Sequence, residues 1–228
     1  MTIINKLLAI GLVIAAISCD EIDNYDAPNG YVHGQLIDKI TNQPLQSQQP
    51  NGFIIRMFEQ DRSVNSPISF HGKSNGTFEN ALIFQNKYKI VPVEGAFFPV
   101  DTSVVQVGKK TEVNFEVIPF LSITEVTIST NSNKITTNYN ITRSKVGNKI
   151  IDRITLVSEI PTVDNITYKF KLENNTSEIP DESILNQSFT DVIDGLTSGK
   201  KYYVRVGART NNANRKYNYS KIFEITVQ

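Results

Sequence analysis

The 228-residue chain carries 23 Lys/Arg and 23 Asp/Glu, so the molecule as a whole has no charge-driven pull towards nucleic acid. A single cysteine excludes an intramolecular disulfide framework, and the length allows one or two domains. In chain order, Met1 to Lys6 is short and polar with one positive charge, and Leu7 to Ile17 is an unbroken apolar run. Ala16-Ile17-Ser18-Cys19 then closes the segment at a small-residue boundary. This is the pattern of an export signal over residues 1–18. The run is about half the roughly 20 apolar residues that a bilayer span needs. It also lacks the polar face of a packed surface helix.

Cys19 stands where a bacterial lipobox, which this boundary resembles, places the acylated residue. Each buried methylene of an acyl chain contributes about 0.8 kcal/mol, and stable attachment takes more than one chain. The several chains a lipobox cysteine normally receives therefore imply a lasting membrane anchor. Asp20, Glu21, Asp23 and Asp26 follow before Pro28, so residues 19–29 read as a solvated acidic tether. The tether is similar to the acidic signal of Bacteroidetes lipoproteins bound for the outer face of the outer membrane. The cell surface is the expected location, with the periplasmic face as the alternative.

Beyond the tether, Val, Ile, Thr, Tyr and Phe recur in short runs broken by Asn, Gly, Ser, Asp and Pro. That composition predicts an all-β fold. Ile118-Pro119 divides it into two tandem β-sandwich domains, 30–118 and 119–228, because Pro119 cannot donate to a ladder. In the first, Tyr31–Asp38 alternates, with Val32, Gly34, Leu36 and Asp38 on one side. Thr41-Asn42-Gln43-Pro44-Leu45 follows as a turn. Gly34-x-Leu36-x-Asp38-x-x-Thr41-x-x-Pro44-Leu45 resembles the opening of carboxypeptidase regulatory-like domains, which are transthyretin-like sandwiches. Asn42 stands where that family has Gly, and Asn also takes positive φ readily. Phe53–Phe58 is a further strand, and Asn75-Gly76 marks a hairpin-type turn.

In the second domain, strands are predicted at Ser122–Ser129, Lys134–Arg143, Ile150–Ser158, Tyr168–Leu172, Phe189–Ile193, Lys201–Thr210 and Lys221–Val227. This suits an Ig-like sandwich. Leu196-Thr197-Ser198-Gly199-Lys200-Lys201-Tyr202-Tyr203-Val204-Arg205-Val206 resembles the fibronectin type III pattern. Tyr202 is then a corner tyrosine bonded to nearby backbone, with Val204 and Val206 inward and Tyr203, Arg205 and Gly207 facing the other way.

Taken whole, the chain is similar to a Bacteroidetes outer-membrane lipoprotein family associated with starch-utilisation-type (Sus-like) glycan uptake loci. The resemblance rests on the lipobox, the Asp-Asn-Tyr-Asp-Ala-Pro tether, Gln49-Pro50-Asn51-Gly52-Phe53, Glu94-Gly95-Ala96-Phe97-Phe98-Pro99 and the terminal Ig-like module. It implies a non-catalytic accessory that binds glycan or a partner lipoprotein or transporter. A structural spacer or adhesin-like protein without a sugar site is the alternative. His33 and His71 lie in no spaced metal motif, no cofactor fingerprint occurs, and no local motif pairs two carboxylates for glycoside hydrolysis. No enzyme, no cofactor, no metal and no nucleic-acid partner are expected.

Two stretches are candidate ligand sites. Phe97 and Phe98 are adjacent, so one ring faces out if the strand is extended, whereas a bend sends both into the core or the domain interface. Tyr217 and Tyr219 flank the last hairpin loop, which carries Arg215. Lys200, Lys201, Arg205, Arg209, Arg215, Lys216 and Lys221 fall within 22 residues free of acid. Arg205 and Arg209 are expected on one strand face with Tyr203. They serve either an acidic polysaccharide or protection of a sheet edge.

Overall fold

The computed structural model describes residues 26–60 and 66–228. The export signal, Cys19 and Asp20, Glu21 and Asp23 lie outside the described residues. The first domain contains β1 (Gly30–Asp38), β2 (Ile54–Glu59), β3 (Ile68–His71), β4 (Thr77–Ile83), β5 (Lys87–Val93), β6 (Ser103–Gln106), β7 (Thr111–Glu112) and β8 (Phe115–Val117). One sheet has the order β4-β1-β7, with β8 pairing β1 further along, and the other has the order β3-β2-β5-β6. Val32 and Leu36 of the first sheet pack with Ile55, Met57, Tyr88 and Ile90 of the second in one core.

The alternation of β1 carries through. Val32, Gly34, Leu36 and Asp38 are all buried, and the residues between them are half-buried. Gly34 is required, because a Cβ there would stand 1.8 Å from the carbonyl oxygen of Val113, where the chain passes from β7 to β8. The turn after β1 is closed by Asp38, whose carboxylate accepts the Ile40 N–H and the Thr41 hydroxyl, both at 2.9 Å. Asn42 in that turn has φ 55° and Gly76 has φ 81°.

The second domain contains β9 (Ser122–Asn131), β10 (Lys134–Thr142), β11 (Ile150–Ser158), β12 (Phe170–Asn175), one short helix α1 (Asp181–Leu185), β13 (Ser188–Ile193), β14 (Lys201–Thr210), β15 (Asn218–Tyr219) and β16 (Phe223–Thr226). Its sheets are β13-β10-β9 and β12-β11-β14-β15, with β16 also on β14. Apolar residues of both sheets meet in clusters around Ile141 and Val206 and around Ile135 and Val204. A polar knot ties the sheets together: Asp191 accepts from Tyr139 Oη at 2.8 Å, Thr155 Oγ1 at 2.7 Å and Arg153 Nη1 at 2.5 Å. Tyr202 is buried and its hydroxyl accepts the Thr197 N–H at 3.1 Å.

The predicted strands all appear in the second domain, displaced at their ends by only a few residues. Besides the two-residue β15, the helix α1 is an element the sequence reading did not contain. It exists because Ile184 plugs one end of the core while Asp181 accepts the Ile150 N–H at 3.1 Å and pairs with Arg143 at 2.8 Å.

Candidate functional site

β14 alternates as expected, with Tyr202, Val204, Val206 and Ala208 buried in the sandwich core. Its opposite face is covered as well. Ile154, Leu156, Val163, Tyr217 and Tyr219 form a separate apolar cluster there, with Tyr203 and Ile222 packed against it. Arg205 points into this layer with 1% of its surface exposed. Its Nε donates to the Ser220 carbonyl at 3.0 Å and its Nη1 to the Val163 carbonyl at 3.2 Å, while Nη2 lies 3.5 Å from the Ser74 carbonyl of the first domain. The guanidinium lies 4.3 Å from the centroid of the Tyr219 ring. Burial pushes it down to about 10, against the upward pull of Tyr219 and Asp164.

The geometry corrects the expectation of an exposed basic face. Arg205 is a buried clamp with no surface left for a polysaccharide. Tyr217 and Tyr219 are each 6% exposed. Tyr219 donates to Asn165 Oδ1 at 2.7 Å, and burial pushes its phenol well above the ordinary range. Burial does the same to Tyr217, with Asp152 adding to the effect. Arg209 is held by Asp152, with Nε to Oδ2 at 3.0 Å, and its guanidinium is 5.1 Å from the Tyr217 centroid. Burial pulls Arg209 down, but the Asp152 hydrogen bond together with the nearby Tyr217, Asp152 and Glu173 outweighs it, and the net direction is upward. Of the three candidate arginines only Arg215 is exposed, at φ 53° on the loop tip.

Phe97 and Phe98 follow the bend reading. Glu94 takes φ 60° just before them. Phe97 is 5% exposed in the first core. Phe98 meets Phe120 edge-on at 5.0 Å, with the Lys145 ammonium 4.5 Å from its centroid. Residues 96–98 run antiparallel to 118–120, with the Phe98 N–H bonded to the Ile118 carbonyl at 2.9 Å. Asn218, 3% exposed, completes the joint. Its Oδ1 accepts the Leu121 N–H at 3.0 Å and its Nδ2 donates to the Ala96 carbonyl at 2.8 Å. Further out, the Gln49 N–H donates to Asp164 Oδ2 at 3.0 Å and Lys216 reaches the Asn51 carbonyl. Of the residues read as ligand candidates, Phe97, Phe98 and Arg205 take part in the joint between the domains.

Two recesses stand out among the described residues. The larger, about 470 Å³, is a groove along the domain junction. One wall is the first-domain turn from Thr41 to Gln46; the others are Ser122–Val126 of β9 and the segment Ser220–Phe223. It combines a half-buried ring, Phe223, with hydroxyls of Thr41, Ser122 and Thr124 and the amides of Gln43 and Gln46. β9 is the outer strand of its sheet, and its ladder is broken by a register shift opposite Glu125, which has φ 55°. Such a bulge discourages another strand from pairing there and leaves the edge facing the groove. The smaller recess, about 240 Å³, is lined by Arg209, Arg215, Tyr217, Lys171, Glu173 and Asn165. Among the described residues no group of three His, Cys, Asp or Glu side chains is arranged to hold a metal ion. The groove was not legible in the sequence, because its walls come from segments some 80 to 180 positions apart and carry no local motif.

Fold and joint together define a two-domain, all-β protein with sandwich-like sheets and a ligand-sized groove where the domains meet. The chain belongs to the DUF3823 family: the model described as "Protein of unknown function (DUF3823) N-terminal domain" matches residues 30–118, and the "Domain of unknown function (DUF3823_C)" matches residues 121–224. A crystal structure of a DUF3823 family protein from Bacteroides uniformis is similar with a TM-score of 0.76 and 23% identity, covering 88% of this chain and 100% of that one. A second structure from the same organism, of a proposed carbohydrate binding protein, gives 0.73 and 22% over 88% and 100%. A DUF3823 family protein from Parabacteroides merdae gives 0.74 and 21% over the same shares. No curated protein matches the chain.

Proposed function

We propose that this protein is a non-catalytic, carbohydrate-binding lipoprotein of a Sus-like glycan uptake system, tethered through Cys19 to the outer membrane and facing the cell exterior. The observation that carries the reading is the domain-junction groove. It presents the half-buried Phe223 ring beside hydroxyls and amides from both domains, the mixture of one apolar face and a few convergent polar groups that ligand sites use. Its position also fits, since such sites concentrate at domain interfaces. The similarity in fold to a proposed carbohydrate binding protein from Bacteroides uniformis supports the same reading. The strand order β13-β10-β9 against β12-β11-β14-β15 supports a fibronectin type III-like second module, and the residue pattern from Gly34 to Leu45 supports a carboxypeptidase regulatory-like first one.

Affinity gel electrophoresis against a polysaccharide panel tests the proposal. Retention by a glycan should be lost in Phe223→Ala and Gln43→Ala and kept in Arg215→Ala. Loss in Arg215→Ala alone moves the site to the smaller recess. A second reading, a spacer or adhesin-like protein, is favoured by the burial of Phe97, Tyr217 and Tyr219, which leaves those rings unavailable as stacking platforms. It predicts no retention by any glycan in the panel. The anchor has its own test: metabolic labelling with a fatty acid should mark the wild type and not Cys19→Ser.

A further inference from the structure

At the opposite end of β1 from the groove lies a surface that the reading so far leaves unused. Leu82 is 82% exposed and Phe84 is 45% exposed, flanking Ile83, which pairs with Gly30 at the first residue of β1. Asn29, in the last stretch of the tether, accepts from Gln85 Nε2 at 3.0 Å. The Tyr31 N–H bonds to the Gly108 carbonyl at 3.0 Å, and the Val107 N–H to the Asn86 carbonyl at 2.8 Å. These contacts gather three things at one end of the first domain: the point where the tether enters, two exposed apolar side chains, and the exposed Lys87, Lys109 and Lys110.

We infer that this end is a lipid-contacting face, on which the first domain rests against the headgroup layer of the membrane that holds the anchor. The inference rests on the Cys19 anchor proposed above. The occupant is argued from where the tether emerges and from charge. A tether of residues 19–29 spans at most about 40 Å when extended, so the end that carries it is the part of the domain kept nearest the lipid. Large apolar side chains flanked by lysines are the composition that seats in an anionic interface, the apolar groups at the acyl boundary and the ammonium groups at phosphates. An acyl anchor joined to a basic patch is also the two-signal arrangement that gives lasting attachment.

The arrangement has a consequence for presentation. β1 runs nine residues from Gly30 to Asp38, and Asp38 lines the groove. At roughly 3.3 Å per residue, the first domain stands as a pedestal that holds the groove some 26 Å above the lipid.

The chain contains no tryptophan, so one introduced indole reports its own surroundings. The test couples the mature chain, through its only cysteine, to a maleimide lipid in vesicles of phosphatidylcholine and phosphatidylglycerol. Leu82→Trp should show a blue-shifted emission that brominated lipid quenches. Val146→Trp, at a site 79% exposed on the second domain, should show neither. Replacing the two lysines, Lys109→Gln/Lys110→Gln, should weaken the contact by about 25-fold at roughly fivefold per lysine and return the Leu82→Trp emission towards that of water. Equal, unquenched emission from Leu82→Trp and Val146→Trp on coupled vesicles overturns the inference. So does a Leu82→Trp emission already blue-shifted without vesicles and untouched by brominated lipid, which would mean that the chain's own tether covers the patch. Chemical coupling separates this result from the anchor itself, whose failure would appear as an unlabelled Cys19 in cells.

Discussion

Asn218 gives the sharpest test of the joint. Its Oδ1 accepts the Leu121 N–H, and its Nδ2 supplies the Ala96 carbonyl with a second hydrogen bond, the first coming from the Phe120 N–H at 3.1 Å. In Asn218→Ala the Leu121 amide is left buried without an acceptor, which costs about 1–3 kcal/mol. The Ala96 carbonyl keeps one donor and loses about 0.5–1.5 kcal/mol of net hydrogen bonding. The sum is a destabilisation of roughly 2–4 kcal/mol, or a fall in Tm of about 5–12 °C for a chain of this size. Urea unfolding followed by tyrosine fluorescence, with far-UV circular dichroism of the native state as a fold check, measures it. A loss under about 0.5 kcal/mol, the range of an ordinary surface substitution, would refute the assignment of Asn218 as the tie between the domains.

Arg205→Ala should cost about 3–5 kcal/mol, because it removes buried hydrogen bonds and leaves Asp164 without its opposing charge. The half-buried Arg209→Ala should cost about 1 kcal/mol; equal, small losses in urea unfolding would contradict the burial of Arg205. Gly34→Ala drives a Cβ into the Val113 backbone and should lose at least about 2 kcal/mol, read from the same unfolding curves. At alkaline pH, burial holds the phenols of Tyr139, Tyr217 and Tyr219 above their ordinary 10. The folded state therefore keeps protons that the unfolded state releases, and stability falls as pH rises past about 10. Arg205 opposes this, since its folded value of about 10 lies below 12.5, but it is one group against three. Tyr217→Phe should flatten the fall by up to about 1.4 kcal/mol per pH unit, and an unchanged slope in pH-dependent denaturation would count against that phenol's role. On the acid side, burial raises Asp181, but the Ile150 N–H, Arg143 and Lys149 outweigh it and lower its pKa. The stability it contributes is present above pH 3.8 and should drain away as pH falls through its lower folded value, and Asp181→Asn should remove that part of the acid transition.

Strand periodicity made most of the fold readable. The ends of β11 and β14 coincide with the runs Ile150–Ser158 and Lys201–Thr210, because alternating apolar residues bounded by Gly, Asn and Lys leave little latitude in register. Asn42 at φ 55° likewise follows from turn chemistry alone. The site was much less readable. Alternation told that Arg205 leaves the core side of β14, but not that a second layer waits on the other side. That layer is built by Val163, Asp164 and Tyr219 and by Gln49 and Ser74 of the first domain, as many as 156 positions distant in sequence. A cluster of cations without acids looks like a ligand face until the acids, Asp152 and Asp164, arrive from other strands and loops. Phe97 and Phe98 follow Glu94, a non-glycine residue at φ 60°, and their packing into the first core and against Phe120 has no local sequence signature.

A crystal structure with a bound oligosaccharide, taken from the polysaccharide best retained in affinity gels, tests the groove most directly. The account predicts a sugar ring against Phe223, between the turn Thr41–Gln46 and the start of β9, with hydroxyls bonded to side chains from both domains. Sugar bound instead in the recess of Arg209, Arg215 and Tyr217, or on a face of either domain away from the junction, would contradict it.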